Sequence, residues 1–286
     1  MKPPPFKYTR PRELNEVLEL LAEYGDEAKL LAGGQSLVPM LNFRLLRPSV
    51  LIDLNAIGGL DTLGGRNGML VVGPMVRQST AEASPHVLAS APLLVQALRH
   101  VGHVQIRNRG TIGGSLIHAA PAAELPAVAL VLDAELVLRN LRAERVVTAA
   151  DFFRGPFTTA AEPDEVLTEI RFHSLVGTRT AFVELAMRSG DFALAGVAAL
   201  ARVDSESGVF MEVRLAAIGV AGGPVRLSEA EAAVTGRQAT GETLREGGAA
   251  AAAEVTPSTD VHASGAYRKE VLGVLVARAL AKLSAT

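Results

Sequence analysis

The chain contains no cysteine and no tryptophan, and aromatic residues make up only 4% of its 286 positions. Without cysteine there can be no disulfide, no thiol nucleophile, no thiolate-bound zinc and no iron–sulfur cluster held by this chain. Any iron–sulfur chemistry linked to it must reside on another polypeptide. Long apolar runs are missing too. No segment reaches about 18 uninterrupted apolar residues, so no membrane span is expected. The proline-rich start, Met1 to Phe6, has none of the apolar character of a signal peptide, and a cytoplasmic location is expected. Charge of one sign is never concentrated. The net charge is −2, and the arginines are scattered rather than striped, which argues against nucleic acid as a partner. Of six histidines only His100 and His103 lie close together, and no carboxylate nearby completes a metal-ligand set; ordinary helix-end histidines are expected there.

What is present is a globular composition, 49% hydrophobic and 20% charged, on a chain long enough for two modest domains. The periodicity of Leu14, Leu18 and Leu21 predicts a helix ending at Gly25, with Thr9 as its cap and Pro11 and Glu13 in its first turn. Lys29–Ala32 reads as a buried strand running into Gly33-Gly34, followed by a short helix from Leu37 to Phe43 and a strand from Val50 to Leu54. This is a βαβ-like unit. An Asn67-Gly68 pair predicts a hairpin within Leu60–Val76. Ser79 or Thr80 is expected to cap the next region, with Glu82 in its first turn. Helices over Pro92–His100 and Pro126–Leu132 follow, then a hairpin of Glu135–Arg139 with Arg145–Thr148 and a strand at Val166–Phe172. The texture changes around Ser174–Thr180. Beyond it, Ala181–Met187 opens the second part, Ala195–Val203 pairs with Val209–Val220, and three alanine-rich helices, Ser228–Val234, Glu242–Val255 and Tyr267–Leu283, close the chain.

Two segments carry chemistry, Ala32-Gly33-Gly34-Gln35-Ser36 and Thr111-Ile112-Gly113-Gly114-Ser115. Paired glycines let main chain approach a ligand closely and adopt positive φ. Consecutive free N–H groups then make an anion-binding concavity, and a helix start adds to it. Ser36, Thr111 and Ser115 can donate hydroxyl hydrogen bonds to the same oxygens. Two such loops suit a ligand with two adjacent phosphates. One Gly-Gly pair alone is more often a plain turn. The dinucleotide pattern Gly-x-Gly-x-x-Gly, the P-loop and the nucleophile elbow are all absent.

The run from Ala32 to Leu45, the run from Val104 to Ala119, and Arg188-Ser189-Gly190-Asp191-Phe192-Ala193 together resemble, in order and end to end, the FAD-binding medium subunits of the xanthine dehydrogenase and carbon monoxide dehydrogenase (molybdenum hydroxylase) family. The resemblance implies an α+β protein: a two-lobed FAD-binding domain of the vanillyl-alcohol oxidase (PCMH) type over residues 1–175, with lobes of about 1–55 and 56–175, then a smaller α+β domain over 178–286 with a β-hairpin sheet and C-terminal helices. It implies that Leu31, Ala32, Gly33, Gly34, Gln35, Ser36 and Leu37, with Thr111, Ile112, Gly113, Gly114 and Ser115, wrap the FAD pyrophosphate. Glu124, where relatives often carry Asp, is implied to contact the adenosine side or its linker. Phe192 is implied to lie close to the flavin ring, with Arg188 and Asp191 in the same motif, while Val101 and Gly102 border the ring's other side. A lysine that some members have near Val183 or Leu185 is missing, and Arg188 is the candidate to replace it. The implied partners are a small subunit with two [2Fe–2S] clusters and a large molybdopterin subunit, assembled as a dimer of heterotrimers. The chain itself is expected to hold no metal and no catalytic dyad. A stand-alone flavin oxidoreductase of the same fold is the alternative, against which the short second domain and the lack of a flavin-linking His or Cys weigh.

Overall fold

The computed structural model describes residues 2–174 and 176–285; the expected domain limits at 1, 175 and 286 lie outside the described residues. The chain starts with a short strand, β1 (Lys7–Thr9), and the helix α1 (Leu14–Tyr24). Thr9 does not cap that helix, because it is spent as the last residue of β1, paired with Ile52; Glu13 takes the capping position without a side-chain bond. Val17 and Leu18 face inward, with Leu21 one turn further on, as their spacing requires. Next come β2 (Ala28–Leu31), α2 (Leu37–Asn42) and β3 (Val50–Asp53). The three strands form a parallel sheet in the order β1-β3-β2, so β2-α2-β3 is the βαβ unit that the sequence foreshadowed. All four residues of β3 are buried, as befits a central strand covered on both faces.

The second lobe opens with the hairpin β4 (Leu63–Arg66) and β5 (Met69–Val72). Asn67 (φ 54°) and Gly68 (φ 75°) both take positive φ at the turn, the requirement that makes Asn-Gly favourable there. Six helices follow: α3 (Gln78–Ala83), α4 (Pro85–Ser90), α5 (Pro92–Leu98), α6 (Val104–Arg107), α7 (Ile112–His118) and α8 (Glu124–Val131). Ser79 and Thr80 fall inside α3, whose capping position is Arg77. The serine that does cap is Ser84, whose Oγ accepts from Val87 N at the start of α4. The lobe ends with β6 (Glu135–Arg139), β7 (Glu144–Thr148), α9 (Ala149–Phe152), a small ribbon of β8 (Phe153–Gly155) and β9 (Thr158–Thr159), and β10 (Val166–His173). Its antiparallel sheet runs β4-β5-β10-β6-β7.

The remaining residues form an antiparallel sheet of β11 (Arg179–Ala186), β12 (Ala193–Val203), β13 (Phe210–Ile218) and β14 (Val225–Arg226), then α10 (Ser228–Val234), α11 (Gly241–Glu254) and α12 (Gly265–Ser284). One face of this sheet, through Val197, Ala199, Ala201, Leu215 and Ala217, packs on the three helices. The other face, through Ala198, Leu200, Ala216 and Ile218, joins the same apolar core as α5, α8 and the second-lobe sheet. Covering on both sides explains why β12 is apolar almost throughout rather than strictly alternating. Among the described residues no helix is long and apolar enough to cross a membrane.

Candidate functional site

The loop after β2 separates the two ends of its peptide dipoles. Its carbonyls turn toward protein: Ala32 O accepts from Asn55 Nδ2 (3.0 Å), Gly33 O from Gln35 Nε2 (3.2 Å), Gly34 O from Val38 N (3.0 Å) and Ser36 O from Met40 N (3.2 Å). The N–H groups from Ala32 to Leu37 have no acceptor among the described residues. A run of unsatisfied amides is costly unless water or a ligand takes them, and consecutive amides of this kind form an anion-binding nest. Gly34 sits at φ 74°, where a Cβ is strained. Gly33 is required by proximity instead, since a Cβ there would lie 2.3 Å from the carbonyl oxygen of Arg109.

That contact places the first glycine segment against the lead-in to the second. A Cβ on Gly114 would also come 3.8 Å from the Cβ of Ala32. The two segments are therefore neighbours, although they arise from different lobes. The second is not a bend, however. Thr111 caps α7, its Oγ1 accepting from Gly114 N at 3.0 Å, and Gly113 and Gly114 form the helix's first turn with ordinary negative φ. Four of the segment's five amides are used: Ile112 N donates to Val76 O and Gly113 N to Pro74 O (3.0 and 2.9 Å), Gly114 N to Thr111 Oγ1 and Ser115 N to Thr111 O. Gly113 is glycine because a Cβ would fall 2.3 Å from that of Pro74. This half of the site offers a close-packed wall, the half-buried hydroxyl of Ser115 and one amide, that of Thr111, without an acceptor among the described residues; the run of open amides belongs to the first loop.

At the other end, Val101 and Gly102 (φ 47°) are held by Arg107, whose Nη1 donates to both their carbonyls (3.1 and 3.3 Å) while its Nε meets Glu82 at 2.7 Å. Glu82 thus anchors an arginine rather than a helix start. The Arg188–Asp191 turn, closed by Asp191 N donating to Arg188 O (3.1 Å), leans on the same segment. A Cβ on Gly190 would lie 2.3 Å from the His103 ring. Phe192 is 76% exposed at this turn, an apolar ring held out toward solvent, and Arg188 and Asp191 are exposed beside it. His100 does not pair with His103; its Nδ1 stands 3.2 Å from Glu184 Oε1.

Glu124 begins α8 and is only 7% exposed. Burial, with the negative charge of Glu184 adding to it and its own amide opposing, pushes its carboxyl up to about 8. It is therefore neutral at neutral pH and can donate a hydrogen bond. Among the described residues no hydrogen bond ties it to either glycine segment.

Two site-bordering residues, Asn55 and Arg77, carry no signal in the sequence that would single them out. Arg77 donates through Nη1 to the Arg109 carbonyl and through Nη2 to Asn55 Oδ1, and Asn55 in turn holds Ala32 O. Arg109 itself is exposed and lies near enough to Arg77 for the two charges to repel. The basic spacing Arg107-Asn108-Arg109 is visible in the chain, but nothing local to Asn55 or Arg77 shows that they meet.

Residues 4–172 match the family described as the FAD binding domain in molybdopterin dehydrogenase, and residues 180–283 match the CO dehydrogenase flavoprotein C-terminal domain. The chain is 38% identical to the alpha subunit of the 6-hydroxypseudooxynicotine dehydrogenase complex of Paenarthrobacter nicotinovorans, covering 99% of this chain and 95% of that one. It is 34% identical to the glyceraldehyde dehydrogenase medium chain of Sulfolobus acidocaldarius, over 99% and 100%. Among solved structures, a carbon monoxide dehydrogenase from Hydrogenophaga pseudoflava that lacks the Mo-pyranopterin moiety superposes with a TM-score of 0.96 at 37% identity, covering 99% of this chain and 98% of that one.

Proposed function

We propose, from the premise that this chain belongs to the FAD-binding medium subunits of the molybdopterin dehydrogenases, that it takes electrons from [2Fe–2S] clusters on a small partner subunit and passes them to an external acceptor. Substrate oxidation is assigned to a large molybdopterin subunit, and the three chains to a dimer of heterotrimers in the cytoplasm. The same reading divides the chain into an FAD domain of residues 1–175 and a C-terminal domain of 178–286.

The observation that carries the reading is the loop of unpaired amides from Ala32 to Leu37, set against the Thr111–Ser115 segment. This chain's residues fit the cofactor. The amides would receive diphosphate oxygens, and Ser115 adds a hydroxyl. Main chain on both sides comes closer than any side chain would allow. Bound FAD supplies a group that accepts electrons singly and releases them in pairs. The protein supplies position and field. Phe192 offers an apolar face for the ring, and Val101 and Gly102, fixed by Arg107, border it. Glu124, neutral and buried, serves as a donor to the cofactor's polar linker.

The test is made on the complex purified with its partners. Denaturation should release FAD at one equivalent per chain. Gly33→Val should retain none, because the added side chain collides with the Arg109 carbonyl. In anaerobic mixing with substrate, the flavin band of the wild-type complex should bleach. The isolated chain loaded with FAD should not respond to the same substrate. Stoichiometric FAD in the Gly33→Val variant, or substrate bleaching of the isolated chain, would contradict the assignment.

A further inference from the structure

We propose that Asn55 and Arg77 are positioning residues that hold the phosphate loop in its receptive shape and lock the two lobes around it; the proposal rests on the FAD reading above. The loop's carbonyls are the starting point. Amides can point outward only if the carbonyls have partners behind them, and the first of those partners is Asn55, reaching Ala32 O at 3.0 Å. Asn55 is itself fixed on both sides. Asp53 Oδ1 accepts from its main-chain N (2.9 Å) and from Nδ2 (2.5 Å), while its Oδ1 accepts from Arg77. Tyr8 donates its hydroxyl to the other oxygen of Asp53. Burial pushes the Asp53 carboxyl up, but the bonds from Tyr8 and Asn55 outweigh this and keep it below its ordinary range, so it stays an acceptor.

Arg77 is the part that belongs to the other lobe. With one guanidinium it grips Asn55 and the carbonyl of Arg109, the same oxygen that fills the space beside Gly33. Its main chain also bridges to Thr111, the cap of α7. Arg77 thus connects, through Asn55 and through its own main chain, to both glycine segments. The pairing has an electrostatic side as well. Arg77 is half-buried next to the charge of Arg109, and burial followed by that repulsion lowers its affinity for a proton. The carboxylates of Asp53 and Asp61 oppose that repulsion, so Arg77 keeps its charge beside the loop.

The test uses the full chain freed of FAD, with Asn55→Ala, Arg77→Ala and the double variant. FAD affinity is read by quenching of flavin fluorescence, and ADP and AMP are used as competitors. Each single variant should weaken FAD and ADP by about tenfold to a hundredfold, the range of one lost charge-assisted hydrogen bond. AMP, which lacks the second phosphate, should change little. Because the two side chains share one bond, the losses in the double variant should be clearly less than additive. The melting temperature of the FAD-free chain controls for folding. Unchanged FAD affinity in folded variants, equal losses for ADP and AMP, or additive losses would each overturn the positioning role alone. A wild-type chain that binds neither FAD nor ADP would overturn the underlying FAD reading with it.

Discussion

A single carboxyl shows how burial sets protonation. Glu124 titrates at about 8 in the fold against 4.5 for the free group, because burial penalises its ionised form. Below pH 4.5 it is protonated in both folded and unfolded chains and costs nothing. As pH rises toward and through 8 the unfolded chain ionises freely while the fold resists, so stability is lost over that window. Each pH unit that separates the folded from the free titration point corresponds to about 1.4 kcal/mol, which sets the loss at a few kcal/mol at the alkaline end. Glu124→Gln keeps the shape and removes the charge. Its FAD-free form should melt several degrees above wild type near pH 9, with the gap closing by about pH 5, in a calorimetric pH series. A constant gap across that range would show that Glu124 is ionised in the fold. Residues of this kind divide sharply in how far the chain announces them. The paired glycines are visible in the chain as points of close backbone approach, and Gly33 and Gly113 do stand where a Cβ would collide. Asn55 and Arg77 are not visible in this way, because the bond that joins them crosses between the lobes and only folding brings them together.

Elements show a similar division. Strands and helices bounded by strong local chemistry, such as the Asn67-Gly68 turn or the Leu14–Leu21 stripe, lie where their residues place them. Caps were less legible: Thr9 was claimed by a strand, and Ser79 and Thr80 by a helix interior. The two glycine segments look alike in sequence, yet one is a loop with open amides and the other the first turn of α7. The difference comes from Pro74 and Val76, whose carbonyls meet the amides of Gly113 and Ile112, a pairing no local pattern reveals. Thr111 is what begins that helix. Thr111→Ala leaves Gly114 N without its acceptor and should cost about 1 kcal/mol of stability, typical of a lost N-cap. Urea unfolding of the FAD-free chain measures this. FAD affinity should fall as well, since α7 starts beside Ala32. A change below a few tenths of a kcal/mol would mean that the hydroxyl is replaceable by water.

At the scale of the whole molecule, the division into two family regions does not correspond to two separate cores. Phe182, Ala193, Ala198, Leu200, Ala216 and Ile218 from the C-terminal sheet share one apolar cluster with Leu93, Leu94, Leu98 and Val128 of the second lobe. Helix α8 is buried along its whole length between them. Buttressing from elsewhere tightens the joint: Arg214 reaches Asp133 and the Val131 carbonyl, and Pro121 O accepts from Gly219 N. Each fully buried Leu or Phe in such a seam contributes about 1.5–3 kcal/mol, so parting the two regions would expose more apolar surface than a domain of marginal stability can tolerate. The candidate ring-side residues Arg188–Phe192 lie on one side of the seam and Val101–Gly102 on the other, so the seam also fixes the spacing of that end of the site. Scanning calorimetry of the FAD-free chain should accordingly give one cooperative transition, with calorimetric and van't Hoff enthalpies equal. A chain ended after His173 should fail to reach a folded state, since it would leave the Leu93–Leu98 face of α5 uncovered. Two resolved transitions, or a folded truncated chain that keeps FAD, would show that the regions fold independently and that the seam is only a contact.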